Sequence, residues 1–322
     1  MKRFLTLSGK FGALLACVSL LTVSISAQSS LRKALDFDND GRADYTVIRP
    51  SNNVWHTLRT TEGYSGTQFG ISNDDVPTPG DYDGDGRGDI AVWRDSNGVW
   101  YRFNSSNNAF VAIQFGISGD EAVARDYDGD GKTDVAVVRR SNGSMFWYIL
   151  NSSNGSFSAT QFGVATDYTA PGDYDGDLKF DLAVQRPGAS PTSNATFFIL
   201  NSSNGGLSAG PFGLTNDMVV PGDYDGDGKT DIAVVREGTT PSSNLYWFIL
   251  RSSDGQFVAY QFGITGSDLN AQADYDGDGK TDVAVWRDTN GTFYVLRSTD
   301  GGLAAVQWGT PSDFPIASYD TH

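Results

Sequence analysis

Apolar residues come along this chain in short bursts and never in long helical stripes. Runs of five or so residues rich in valine, isoleucine and aromatics are bounded by clusters of Gly, Asn, Asp and Ser, the pattern of strands joined by turns. One unit reads as follows: a run at Val76 to Gly80, an acidic stretch, a run at Ile90 to Arg94, and a turn at Asp95-Ser96-Asn97-Gly98. Val99 to Phe103 comes next, then polar Ser105-Ser106-Asn107-Asn108, then Ala109 to Phe115 ending in Phe115-Gly116. The third run returns as Trp55-His56-Thr57-Leu58, Trp147-Tyr148-Ile149-Leu150, Phe197-Phe198-Ile199-Leu200, Trp247-Phe248-Ile249-Leu250 and Phe293-Tyr294-Val295-Leu296. The unit's end returns as Phe69-Gly70, Phe162-Gly163, Phe212-Gly213, Phe262-Gly263 and Trp308-Gly309. Four antiparallel strands in a unit of about 47 residues, apolar on both faces, predict an all-β chain folded as a six-bladed β-propeller, with the aromatics as core between blades. No unit offers a helix of useful length, which excludes a parallel βαβ architecture.

The acidic stretch between the first two runs carries the candidate chemistry. It spans nine residues and starts at Asp36, Asp81, Asp126, Asp173, Asp223 and Asp274, at spacings of 45, 45, 47, 50 and 51 residues. Positions 1, 3, 5 and 9 are carboxylates in every copy: Asp36, Asp38, Asp40 and Asp44; Asp81, Asp83, Asp85 and Asp89; Asp126, Asp128, Asp130 and Asp134; Asp173, Asp175, Asp177 and Asp181; Asp223, Asp225, Asp227 and Asp231; Asp274, Asp276, Asp278 and Asp282. Carboxylates this close repel one another unless a cation joins them. Hard oxygen donors at alternate positions followed by a turn glycine suit calcium, so up to six Ca2+ ions are expected. The loop is not an EF-hand, because position 12, where that motif places a bidentate Glu, is Val47, Val92, Val137, Val184, Val234 or Val285. β-branched residues follow, so the loop feeds a strand and not a helix.

Phe212-Gly213 followed by Pro221-Gly222-Asp223-Tyr224-Asp225-Gly226-Asp227-Gly228, and its counterparts, resemble the FG-GAP (VCBS-like) repeat, which also builds the integrin α-subunit propeller. The resemblance covers residues 31 to 320. It implies that the calcium loop joins the first two strands of each blade on the lower rim, with ligands taken from the opposite, upper face. It implies no single activity: some relatives adhere, some are sugar-binding lectins, and some polysaccharide lyases carry similar loops.

Deviations from the repeat are informative. Leu178 replaces the glycine at position 6 of loop four and Phe180 the small residue at position 8, which predicts site four to be the weakest or most distorted. Asn39 replaces a loop glycine in site one, which asparagine tolerates. The turns Pro187 to Asn194 and Glu237 to Asn244 are longer than their counterparts and are placed next to each other on the upper face, the first place to look for a binding patch. Arg49, Arg94, Arg139, Arg186, Arg236 and Arg287 end the second strands, and Asp74, Asp120, Asp167, Asp217, Asp268 and Asp313 follow the Phe-Gly turns. The arginines are expected to form a structural ion pair or carbonyl clamp between blades, and the aspartates to cap turns. The remainder, Phe314 to Asp320, matches a first strand and stops; it reads as a closing strand near blade one, sharing or contesting the innermost place with Leu31 to Leu35. A seventh, truncated blade is the alternative.

Composition adds the setting. Lys2, Arg3 and Lys10 precede an apolar run from Phe11 to Val23 and then Ser24-Ile25-Ser26-Ala27, so residues 1–27 read as a secretory signal peptide and 28–322 as a single propeller domain. The run is too short to span a membrane. Cys17 is the chain's one cysteine; it sits inside that run, which argues against lipidation, and without it the mature chain has no disulfide. The loops hold 24 of the 39 acidic residues, and the remaining 15 are outnumbered by the mature chain's 20 basic ones. The acidity therefore reports metal ligands and not a patch for a basic partner, and no basic stripe suits nucleic acid. His56 and His322 are the two histidines; neither forms a Ser-His-Asp set, and no zinc spacing or phosphate loop appears. The expectation is a secreted, extracellular or cell-surface adhesion or carbohydrate-binding module for a glycan or surface protein. A polysaccharide-active enzyme of lyase type and a structural or export-associated scaffold are the alternatives.

Overall fold

The computed structural model describes residues 34–71 and 74–317, which form six four-stranded antiparallel sheets set as the blades of a propeller. Blade two shows the unit: Asp75–Pro77, Ile90–Arg94, Val99–Phe103 and Phe110–Gln114 pair in chain order from the innermost strand outward. Blades three to six repeat that order, with second strands Val135–Ser141, Leu182–Arg186, Ile232–Arg236 and Val283–Arg287. In blades two to six the acidic loop joins the innermost strand to the second.

Blade one closes the ring. Its innermost strand is Phe314–Pro315, paired with Tyr45–Arg49 through Val47↔Pro315 and Ile48↔Phe314. The C-terminal remainder thus completes blade one, and the described residues form no seventh blade. The N-terminal side takes the rest of that strand's place: Asp44 N–H donates to Leu35 O at 2.8 Å, as Asp89 N–H does to Gly80 O at 2.7 Å in blade two. Leu35, Ile316 and Ala317 then pack in one core cluster with Val47 and Trp286. The C-terminal end therefore supplies the innermost strand, and Leu35 adds one backbone bond beside the loop. Residues 1–33, with the predicted signal peptide and Cys17, and Ser318 to His322 lie outside the described residues.

The third-strand aromatics are core, as expected. Trp55, Trp147, Phe197, Trp247 and Phe293 are fully buried. Trp147 packs in one cluster with Phe180 and Val184 of blade four, and Trp247 with Val283 and Val285 of blade six, so each aromatic sits between blades. The recurring Phe-Gly now has a physical reason. Indole N–H groups of Trp100, Trp147 and Trp247 donate to Phe115 O, Phe162 O and Phe262 O at 2.9 Å each. The following glycines turn the chain toward the next blade at positive φ, for example 108° at Gly116 and 102° at Gly263.

The recurrent Arg and Asp form one device. Arg94, Arg139, Arg186, Arg236 and Arg287 each donate two bonds to Asp75, Asp120, Asp167, Asp217 and Asp268, and Arg49 does the same to Asp313. The fork lies within a blade, between its first and second strands, and the same carboxylate accepts the N–H that follows the previous blade's Phe-Gly turn, as Asp120 does from Ile117 at 2.9 Å. Turn cap and ion-pair partner are therefore one residue. In blade two that residue is Asp75; Asp74 instead accepts from Ser96.

Candidate metal centres

Each nine-residue loop folds around its own carboxylates. In loop two, Asp81 Oδ1 accepts the N–H of Gly84 at 2.7 Å and Oδ2 that of Gly86 at 3.0 Å, while Asp85 Oδ1 accepts from Arg87 N–H at 2.9 Å. Asp89, at position 9, accepts from Tyr82 N–H and, on its other oxygen, from Ser105 N–H. The pattern repeats in the other loops, for example Gly277 and Gly279 N–H onto Asp274 and Tyr275 N–H onto Asp282. These bonds draw the acids together. Oxygens of Asp36, Asp38 and Asp40, of Asp81, Asp83 and Asp85, of Asp126, Asp128 and Asp134, of Asp173, Asp175 and Asp181, and of Asp223, Asp225 and Asp231 lie within 4.8 Å of one another in each set. These sets could hold metal ions. Positions 1 and 3 belong to every one of them; the third member is position 5 in loops one and two and position 9 in loops three to five.

The electrostatics call for a cation. Burial pushes the carboxyls of Asp44 and Asp231 up to about 7 and those of Asp89, Asp134 and Asp282 up to about 6. It does the same at position 1, raising Asp126, Asp173 and Asp223 to about 6. Asp38 Oδ1, Asp175 Oδ1 and Asp276 Oδ1, all at position 3, are buried with no hydrogen-bond partner. A buried carboxylate oxygen is disfavoured without a donor or an ion, and the donor set around it is entirely oxygen. The residues present therefore fit a hard divalent ion.

A second layer, missed in the sequence, holds the acids in place. The turn between third and fourth strands always starts with two hydroxyl residues: Thr60-Thr61, Ser105-Ser106, Ser152-Ser153, Ser202-Ser203, Ser252-Ser253 and Ser298-Thr299. In loop two, Ser105 Oγ donates to Asp85 at 2.9 Å and Ser106 Oγ to Asp83 at 2.6 Å. Ser152 and Ser153, Ser202 and Ser203, Ser252 and Ser253, and Ser298 and Thr299 repeat this on loops three to six. Their fixed position in the repeat was the available signal.

The loops are also joined to each other. The position-8 N–H of each loop donates to the position-1 carbonyl of the loop before it: Gly88 to Asp36, Thr133 to Asp81, Phe180 to Asp126, Thr230 to Asp173, Thr281 to Asp223, and Ala43 to Asp274. The last of these, at 2.7 Å, joins blade one to blade six. Loop four keeps its bonds despite its unusual residues. Leu178 N–H reaches Asp173 Oδ2 at 3.0 Å with φ at 72°, a left-handed conformation that leucine rarely adopts. Phe180 is buried, its ring edge-on to Tyr127 of the preceding loop at 6.4 Å. Asn39 also has positive φ, 60°.

On the face opposite the loops, a recess of about 700 Å³ opens across blades five, six and one, with Met218, Leu269, Trp286 and Phe314 in its wall and Glu237 at its edge. Glu237 opens the second of the two long turns. His56 Nδ1 lies 3.2 Å from the Tyr64 hydroxyl. Among the described residues, no helix is long and apolar enough to cross a membrane.

Residues 36–92 and 126–184 match the family model described as FG-GAP-like repeat. No curated protein matches the chain in sequence. Among solved structures, an arginine-to-alanine triple mutant of AofleA from Arthrobotrys oligospora superposes with a TM-score of 0.52 at 11% identity, covering 88% of this chain and 90% of that one. A protein from Lactobacillus plantarum gives 0.45 at 12% identity, covering 84% and 98%. The exotype rhamnogalacturonan lyase YesX gives 0.35 at 13% identity, covering 82% and 64%. At 11% identity the likeness to AofleA is one of fold alone.

Proposed function

From a six-bladed β-propeller whose residues 36–92 and 126–184 match FG-GAP-like repeats, we propose a secreted, calcium-stabilised binding module without catalytic activity. The observation that carries the metal half of this reading is the set of buried, unpartnered position-3 oxygens within carboxylate clusters. Aspartates at positions 1, 3, 5 and 9 would supply the ligands, and oxygen-only donors in a loop of this kind favour calcium over softer ions. The bound ion would supply the positive charge that the loops lack. Residues 1–27 as a signal peptide support an extracellular setting, where calcium is plentiful enough for sites of about 10⁻⁴ to 10⁻³ M affinity.

The binding half of the reading rests on the division of the ring into two faces. The loop face is taken up by carboxylates, hydroxyl caps and loop-to-loop bonds. The opposite face carries the long turns Pro187 to Asn194 and Glu237 to Asn244 and the recess beside the second of them. A glycan or the surface of another protein is the partner this arrangement suits.

Two measurements test the proposal. Chelation with EDTA should lower the melting temperature by many degrees, because an ion that binds the native state alone stabilises it by mass action; an unchanged melt would sink the calcium reading. A glycan and protein-binding array run with and without EDTA should show calcium-dependent binding with no product formed. Unsaturated sugar products would make the protein a lyase, and a silent array would leave a scaffold.

A further inference from the structure

The six clefts between blades, on the side of the acidic loops, are not chemically alike. The residue before each hydroxyl pair is Asn104, Asn151 and Asn201 in blades two to four, but Arg251, Arg297 and Arg59 in blades five, six and one. Between blades five and six this substitution lines an open cavity of about 350 Å³. Its walls bring together Arg251, Lys280 and Arg297; Ile249 and Leu296 supply an apolar surface, and the half-exposed ring of Tyr260 stands beside them. The volume falls in the range of small-ligand sites, about 300–1,000 Å³.

The cations are incompletely matched. Arg251 pairs with Asp254 at its outer end and, through its buried Nε, with Asp225 Oδ2 at 3.5 Å, a carboxylate that also lines the cavity; the Nε contact is too long for a hydrogen bond. Arg297 pairs with Asp300 at 2.9 Å, but both side chains are well exposed, and such a pair yields readily to a better ligand. Lys280 makes no ion pair among the described residues. Two neighbouring clefts serve as internal controls. Between blades one and two, in a cavity of about 320 Å³, Arg59 and Arg87 both bind Glu62, so one carboxylate already serves both guanidinium groups. Between blades six and one, Tyr45 stands where blade six has Val283, and its ring stacks on Tyr275 at 4.8 Å.

We propose that the cleft between blades five and six binds a saccharide bearing a carboxylate or sulfate. Two guanidinium forks and an ammonium match the oxygens of such an anion. The Tyr260 ring and the aliphatic wall present an apolar surface to the less polar face of a sugar ring. An extended polyanion does not fit, because the three cations are confined to one cavity of about 350 Å³. The inference rests on the reading of the chain as a binding module but is independent of the recess on the opposite face.

Calorimetry of the full chain in saturating calcium provides the test, with a glucuronate-terminated disaccharide, its glucose-terminated match, a sulfated disaccharide and inorganic sulfate as probes. The glucuronate or the sulfated sugar should bind and the glucose form should not. Arg251→Asn, which installs the residue that blades two to four already carry, should weaken binding at least tenfold, and Lys280→Gln several-fold. Arg59→Asn, in the charge-matched cleft, should leave it unchanged. Equal affinity for inorganic sulfate would mean an adventitious anion only and overturn the proposal, as would binding insensitive to Arg251→Asn. Binding of neutral sugars alone would overturn it while leaving the binding-module reading intact; that reading falls separately, with a silent array.

Discussion

At the scale of single residues, the loop carboxylates are in tension with the fold that gathers them. Asp44, Asp89, Asp134, Asp231 and Asp282 are buried and their carboxyls are raised from 3.8 to about 6 or 7. A carboxyl raised on folding stabilises the native state while protonated, and that contribution is lost as pH rises through the folded value. The chelated protein should therefore melt lower at about pH 7.5 than at about pH 5, whereas the calcium-loaded protein should show the reverse order because protons compete with the ion. Thermal melts in EDTA and in calcium at both pH values decide this. The hydroxyl pairs orient the same acids. Ser106→Ala removes the 2.6 Å bond to Asp83 and should weaken metal binding at site two by about tenfold, as loss of a supporting partner does at other metal sites; lanthanide luminescence titration would read it. Leu178, at φ 72°, stores strain that glycine would relieve, so Leu178→Gly should stabilise the protein by about 0.5–1 kcal/mol in urea unfolding. The leucine and its loop were conspicuous in the sequence because they break a sixfold pattern; the hydroxyl pairs kept the pattern and so passed as ordinary turns.

At the scale of strands and turns, the Arg–Asp fork ties the first strand of each blade to its second, and the same aspartate caps the turn arriving from the blade before. Asp120 is buried beneath Arg139, and its two oxygens take the guanidinium fork at 2.7 Å each while one also holds the N–H of Ile117. Removing Arg139 leaves a buried carboxylate with one weak partner. Arg139→Ala should cost about 2 kcal/mol in urea unfolding, discounted for the partial exposure of the arginine. Arg297→Ala, which breaks only the exposed pair with Asp300, should change stability by about 0.5 kcal/mol or less. Both halves of the fork were visible as periodic residues. Their pairing was not, because they stand 19 residues apart in five blades and 264 apart in blade one, and meet only when the first and second strands take their register. The same limit led to Asp74 in blade two, where position after the Phe-Gly turn favoured one aspartate and strand register selected its neighbour, Asp75.

At the scale of the whole ring, closure is made twice. Phe314–Pro315 pairs with the second strand of blade one, and Ala43 N–H bonds Asp274 O across the same junction on the loop face. Deleting residues 314–322 should leave the strand Tyr45–Arg49 as an open edge. The expected outcome is a lower melting temperature together with concentration-dependent association on size-exclusion chromatography, since an uncovered edge pairs with other chains. Blade one should be affected first in hydrogen exchange, because its innermost strand comes from the other end of the chain and no turn joins it to the second strand.

The blade count, the strand order within a blade, the acidic loops and the aromatic core all follow from residues that lie near one another in the chain and recur at a steady interval. Local patterning determines such features, and six copies make the pattern unmistakable. Tertiary structure alone decided which chain end fills the innermost place of blade one, that Arg and Asp are two halves of one fork, that hydroxyl pairs hold the loop acids, and that the cleft between blades five and six gathers Arg251, Lys280 and Arg297 around an open cavity. Each of these joins residues from different turns or different blades. Their meeting depends on register and on the curvature of the closed ring, and neither is encoded in the alternation of apolar and polar positions along a single strand.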